Sequence, residues 1–257
     1  MSSQFILSLI TVIFIGGVAG YLGSLMVTKR MVLVGGPLGH LALPGVALAL
    51  IYHYSIFLGA LSSIVVATLI IWILWVKTKL SLETLTGVVF AAGVALGFLI
   101  LPLSKAKEAL IGDITKINLA DAILSIFLGL IVFFVIKKIY PKMILLGISE
   151  DLAKAEGINV KKYNLIYLIS ITLIIALEVK IVGILFTVAL LVIPAAASRN
   201  FSRTISYYYW GALLIGIISA VLGIFAFKIT NLPAGPLIIL VGTSIFLISL
   251  FFNKSRA

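Results

Sequence analysis

Apolar residues run in long blocks separated by short clusters of charged and turn-forming residues. The blocks predict helices near 5–27, 31–52, 55–76, 85–103, 120–137, 163–178, 181–198, 205–227 and 232–252. Each is close to the roughly 17 to 25 residues that cross a hydrocarbon core about 30 Å thick. No short period-2 alternation marks strands, and a backbone in lipid must satisfy its own hydrogen bonds, so the blocks read as helices and not as a barrel. The expected fold class is all-α: a polytopic transmembrane helix bundle of about nine spans, with 1–257 as a single membrane domain.

Composition agrees with this. The chain is 63% hydrophobic and 11% charged, with a mean hydropathy of +1.31, well away from the balance of a soluble domain. The net charge of +11 does not form one stripe, which argues against nucleic acid as a partner. Lys and Arg lie between the apolar blocks and report topology instead. Alternate loops on one side hold only Lys105, Lys107, Lys116, Lys180 and Lys228; removing these five from the 19 Lys and Arg leaves fourteen on the other side. That asymmetry places the N-terminus outside and the C-terminus in the cytoplasm. The start, Met1-Ser2-Ser3-Gln4, lacks a basic region and reads as a retained helix and not a signal peptide. With no cysteine, disulfides, thiolate ligands and Cys nucleophiles are excluded.

Three segments carry candidate chemistry. The second block contains Pro37, Gly39, His40, Pro44 and Gly45. Counted from Lys29 and Arg30, His40 lies ~15 Å along a helix, near the membrane midplane. Pro44 cannot donate to the His40 carbonyl, nor Pro37 to that of Leu33, so an imidazole and free carbonyls occur together in a broken helix, as in transporter ion sites. Packing alone is the competing reading of His40 and its prolines. A second interrupted stretch runs from Ile181 to Arg199 around Pro194, as a kink or gate, with Glu178 and Lys180 in the outer turn before it. Those two either pair at the interface or make Glu178 a point of metal access. Gly16/Gly20 and Gly93/Gly97 read as close helix contacts.

The third segment is the insert Ser149–Ile158. Ser149 suits an N-cap, Glu150 and Asp151 suit a positive helix start, and Gly157 suits a C-cap. Lys137, Lys138, Lys142, Lys161 and Lys162 flank it as anchors to anionic membrane lipid. A capped helix is more order than a linker needs, so a protein-docking element is expected. No G-x-x-x-x-G-K-[ST] occurs, so any ATP would be hydrolysed by another subunit.

These three segments together resemble the zinc/manganese/iron-type metal permeases of ABC importers. The resemblance rests on Gly39-His40 with Leu43 to Leu48, on Glu150 to Val160, on Val182 to Arg199, and on Leu232 to Pro236. It implies a permease subunit in the plasma membrane that carries divalent zinc, manganese or iron and binds no cofactor of its own. Its partners would be a cytoplasmic ABC ATPase holding ATP, an extracellular solute-binding protein and a second copy of the chain. The docking element becomes a coupling helix near 149–158, with Glu150, Asp151, Leu152 and Gly157. Asp113 in Ile111–Ile114 also matches a family element, as a second weak metal candidate beside Glu178. Members of that family commonly carry Asp where this chain has Gly36, four residues before His40, so the site here lacks a carboxylate. The alternative functions are a gradient-driven secondary metal transporter or channel and, least favoured, an intramembrane enzyme. The latter lacks both an H-E-x-x-H helix and a Ser/His pair on facing helices.

Overall fold

The structure of the chain, a computed structural model, describes residues 3–102 and 105–252. Lys254 and Arg256 of the basic tail, and position 103 at the end of the fourth expected span, lie outside the described residues. Twelve α-helices and no strand occur among those described. They are α1 (Ser3–Thr28), α2 (Val32–His40), α3 (Leu43–Tyr52), α4 (Ile56–Lys77), α5 (Leu82–Ile100), α6 (Ala106–Ile111), α7 (Leu119–Ile148), α8 (Glu150–Ala155), α9 (Val160–Val182), α10 (Thr187–Phe201), α11 (Ile205–Thr230) and α12 (Ala234–Leu250). A 3-10 turn, Ile114–Lys116, precedes α7.

The polar residues between blocks act as caps. The side chains of Ser81, Ser149, Asn159 and Thr204 each accept a hydrogen bond from a first-turn amide of the helix they begin. Asn118 and Asp121 form a reciprocal capping box at the start of α7. Orphan amides that would be costly in or near lipid are thus satisfied by the residues that interrupt hydrophobicity.

Seven helical spans among the described residues are long and apolar enough to cross a membrane: Phe5–Thr28, Val34–Tyr52, Ile56–Lys77, Leu82–Ile100, Leu119–Ile148, Val160–Val182 and Ile205–Thr230. The other two expected spans correspond to the shorter apolar helices Thr187–Phe201 and Ala234–Leu250, of 15 and 17 residues. At ~1.5 Å per residue these reach about 22 and 26 Å, short of a full hydrocarbon core.

α1 lies at the centre and packs on α7, α10 and α11. Glycines set that packing: a Cβ on Gly20 would lie 2.2 Å from the Ala212 carbonyl oxygen, and one on Gly23 would lie 1.8 Å from that of Leu191. Helices in lipid gain nothing from hydrophobic exclusion by their neighbours, so close backbone contact carries the association. Gly16/Gly20 and Gly93/Gly97 are indeed packing positions. Gly93 and Gly97 meet Leu41 and Leu43 at the α2–α3 break.

The connection between α9 and α10 departs from the expected pattern. α9 continues through Glu178 and Lys180 to Val182, and the interruption is the turn Gly183–Phe186, opened by Gly183 at φ +85°. α10 then runs without a break through Pro194, which is buried. The loop after α5 covers this turn, since the Leu185 amide donates to the Leu110 carbonyl at 3.3 Å and the Asp113 amide to the Lys180 carbonyl at 3.2 Å.

Candidate translocation site

α2 ends at His40 and α3 begins at Leu43, so the break falls at Leu41 and Ala42. Pro37 lies within α2, while Pro44 occupies the first turn of α3, where a missing amide proton costs little. The break is held from outside its own helix pair. Ser63 of α4 donates its hydroxyl to the Leu41 carbonyl at 2.7 Å. Gly45 abuts Gly59 of α4 so closely that a Cβ on Gly45 would lie 1.9 Å from the Gly59 carbonyl oxygen. Gly45 is therefore a crossing point between α3 and α4 as well as a residue near a kink.

His40 is half-buried. Its ring stands edge-on to Phe90 of α5, with centroids 5.6 Å apart, and its Nδ1 lies 3.2 Å from the Gly36 carbonyl oxygen. In the neutral tautomer whose Nδ1 donates to that carbonyl, Nε2 carries the lone pair, the arrangement that orients a histidine for a cation. Gly36, one turn below, faces open space: a Cβ there would meet no heavy atom within 4 Å. Its neighbours are closed, since a Cβ on Gly35 would lie 1.7 Å from Met26 Cε and one on Gly39 would lie 2.4 Å from Thr187 Oγ1. Position 36 is thus the place beside His40 where the helix leaves room.

Of the two acidic candidates, Asp113 lies in the connecting loop before α7, whereas Glu178 is not in an outer turn. Asp113 caps the 3-10 turn, its Oδ1 accepting from the Thr115 amide at 2.9 Å and the Thr115 hydroxyl at 2.6 Å. Glu178 is fully buried within α9, not in an outer turn, and neither carboxylate oxygen has a hydrogen-bond partner. It does not pair with Lys180, whose ammonium bonds Asp121 of α7. The i,i+2 spacing turns the two side chains to opposite faces of one helix, so they cannot meet. Among the described residues no three His, Asp or Glu side chains converge as a metal cage.

α8 is closed at both ends by its own sequence. The Ser149 hydroxyl accepts from the Leu152 amide at 3.3 Å. Gly157, at φ +73°, donates to the Lys154 carbonyl, and Ile158 donates to that of Ala153, which together form a Schellman stop. Ala153 is buried inward, and Leu152 is 56% exposed beside the exposed Glu150 and Asp151. Asp151 pairs with Lys154 at 3.3 Å, an exposed contact of small energetic value.

Lys29, a topology marker by its place in the sequence, also connects the end of α1 to this region. Its ammonium donates to Asn164 of α9 at 3.1 Å and lies 5.5 Å from the Tyr167 ring centre. Burial pulls its pKa down to about 8, against the pull of the nearby Glu150 carboxylate. Nothing in the local pattern distinguishes Lys29 from its exposed neighbour Arg30, nor marks Ser63 as the partner of the break.

The ABC 3 transport family matches residues 2–253, and the chain belongs to that family. It is a multi-pass protein of the plasma membrane. The manganese transport system membrane protein MntC of Listeria monocytogenes is 30% identical over 253 residues, covering 97% of this chain and 90% of that protein. The high-affinity zinc uptake system membrane protein ZnuB of Haemophilus influenzae is 32% identical over 256 residues, covering 95% of each. Among solved structures, PsaBC from Streptococcus pneumoniae in complex with Fab superposes with a TM-score of 0.82 at 28% identity, over 98% of this chain and 96% of that one.

Proposed function

We propose that the chain is the permease subunit of an ATP-driven ABC importer for a divalent metal ion, of the zinc, manganese or iron class. The observation that carries this reading is the broken helix. His40 has Nδ1 committed to its own backbone, Nε2 available, and the open position 36 one turn away. Membership of a transport family, and relatives whose names specify manganese and zinc transport, support it.

On this reading the chain crosses the membrane nine times, with α10 and α12 as short crossings, the N-terminus outside and the C-terminus in the cytoplasm. The ion arrives from an extracellular solute-binding protein and passes His40 between two copies of the chain. A few ligands from one helix, completed by carbonyls and water, hold it loosely enough to release it. Force enters through α8, with Leu152 as the apolar contact, Glu150 and Asp151 around it, and Gly157 fixing the helix end. ATP is hydrolysed on a separate ABC ATPase, and the chain itself is a transport subunit and not an enzyme. Pro37, Pro44, Gly45 and Pro194 shape the path. Asp113, engaged as a cap, is the weaker of the two acidic candidates.

One observation favours the gradient-driven alternative. Glu178 is a buried intramembrane carboxylate without a protein partner, a feature that proton-coupled carriers use. The two readings separate in proteoliposomes loaded with a metal-sensitive dye. Uptake that requires the ATPase and ATP, and is lost in Leu152→Arg, supports the importer. Uptake by the chain alone, driven by a pH gradient and lost in Glu178→Gln, supports the carrier instead.

A further inference from the structure

At the end of the bundle that carries α8, a cleft of about 260 Å³ opens between the C-termini of α1 and α10 and the N-terminus of α11. Arg199, Arg203, Ser202, Thr204, Thr28 and Tyr208 line it, and no carboxylate does. Neither guanidinium has a salt-bridge partner among the described residues.

The donors in this cleft are specific. Thr204 caps α11, its hydroxyl accepting from the Tyr207 amide at 3.3 Å, and the remaining first-turn amides of this 26-residue helix add positive potential. Ser202 and Thr28 have already given their hydroxyl protons to the carbonyls of Ser198 and Ser24. Tyr208 has not. It is 8% exposed, and its hydroxyl is shut off from solvent with no hydrogen bond of ordinary geometry, the Thr28 hydroxyl being close by. A buried hydroxyl left unpaired is costly unless something else accepts from it.

Two guanidiniums, a helix start and a spare phenol make a receptor for phosphate oxygens. The surroundings indicate which phosphate. Tyr207, Trp210, Leu214, Ile218, Leu222 and Phe225 are all at least 43% exposed and recur at steps of three and four along α11, forming one apolar stripe that starts in the turn beside the cleft. A soluble anion has no use for such a stripe, whereas an acyl chain does. We propose that this cleft binds the phosphate headgroup of an anionic membrane phospholipid, with its chains lying along α11.

The test is native mass spectrometry and lipid titration of the full chain released from nanodiscs of phosphatidylcholine with or without phosphatidylglycerol. Wild type should retain phosphatidylglycerol about tenfold more tightly than Arg199→Gln/Arg203→Gln, as expected for losing charge-assisted bonds to phosphate. A Lys77→Gln/Lys79→Gln control, which removes the same charge from exposed positions at and just after the end of α4, should retain it like wild type. Tyr208→Phe removes one hydroxyl without disturbing packing and should weaken retention severalfold, so the proposal stays testable if the arginine variant fails to fold.

Equal retention by wild type, the arginine variant and Tyr208→Phe would overturn the proposal. So would equal losses in the arginine and lysine variants, which would mean unspecific attraction to a charged surface. Displacement of the lipid by millimolar inorganic phosphate would make it a site for a soluble anion instead. Unchanged lipid retention with loss of the co-purifying ATPase from the arginine variant would make the cleft a protein contact.

Discussion

Replacing Gly36 by Asp is the most informative change to this protein. The new Cβ meets no heavy atom within 4 Å, and the position is partly open, so the side chain can be added without moving a neighbour. Asp and Gly differ in helix preference by only a few tenths of a kcal/mol, so the fold should tolerate the change. One helical turn separates positions 36 and 40, which puts the new carboxylate and the His40 imidazole on the same face. A charged oxygen ligand added to the proposed site of one imidazole, carbonyls and water should tighten divalent-metal binding roughly 10- to 100-fold, about 1.4–2.8 kcal/mol. The gain should be largest for manganese, the harder ion. Isothermal titration of the purified chain with Mn²⁺ and Zn²⁺ measures it, with Gly36→Asn as the uncharged control. Combining each variant with His40→Ala gives the coupling between the two positions. Affinity unchanged in Gly36→Asp, or a gain that persists in full without His40, would refute a shared site.

Other outcomes follow from the same structure. Gly23→Ala drives a methyl to 1.8 Å from the Leu191 carbonyl oxygen, so α1 and α10 must separate; thermal unfolding in detergent should show a loss of about 1–3 kcal/mol, whereas Gly36→Ala should show almost none. Lys29 has its pKa lowered by burial from 10.5 to about 8. Between those values the unfolded chain holds a proton the folded chain has shed, so this residue makes stability rise with pH from about 8 to 10.5, by at most ~3 kcal/mol. Melting temperatures across that window should show the rise in wild type and a flatter profile in Lys29→Met. Leu152→Arg should leave the melting temperature unchanged, because the side chain is exposed, while abolishing ATP-dependent uptake.

Much of the bundle was legible because lipid imposes a simple rule: long apolar blocks, each ended by residues that cap. Ser149 and Gly157 show this, since hydroxyl acceptor and left-handed glycine act within four residues of their own helix. The break at His40 was visible for the same local reason, two prolines within eight residues. What escaped depended on partners distant in sequence. Lys180 looked like the end of a span because charge usually marks an interface; it stays within α9 because Asp121, 59 residues earlier, supplies its counter-charge. With Lys180 accounted for, Glu178 is buried on the other face instead of sharing a surface pair. Pro194 predicts an interruption, yet α10 continues through it, and the discontinuity falls at Gly183, which has a positive φ. The role of Ser63 in holding the break could not be read locally, because it acts across 22 residues of sequence.

Coupling to a cytoplasmic ATPase requires α8 to face the cytoplasm. The chain contains no cysteine, so Asp151→Cys introduces a single thiol at an exposed site, and Tyr52→Cys, at the far end of α3 and 72% exposed, serves as its opposite. A membrane-impermeant maleimide applied to intact cells should label position 52 and leave position 151 untouched until the membrane is permeabilised. Labelling of position 151 in intact cells would contradict force transmission from a cytoplasmic ATPase.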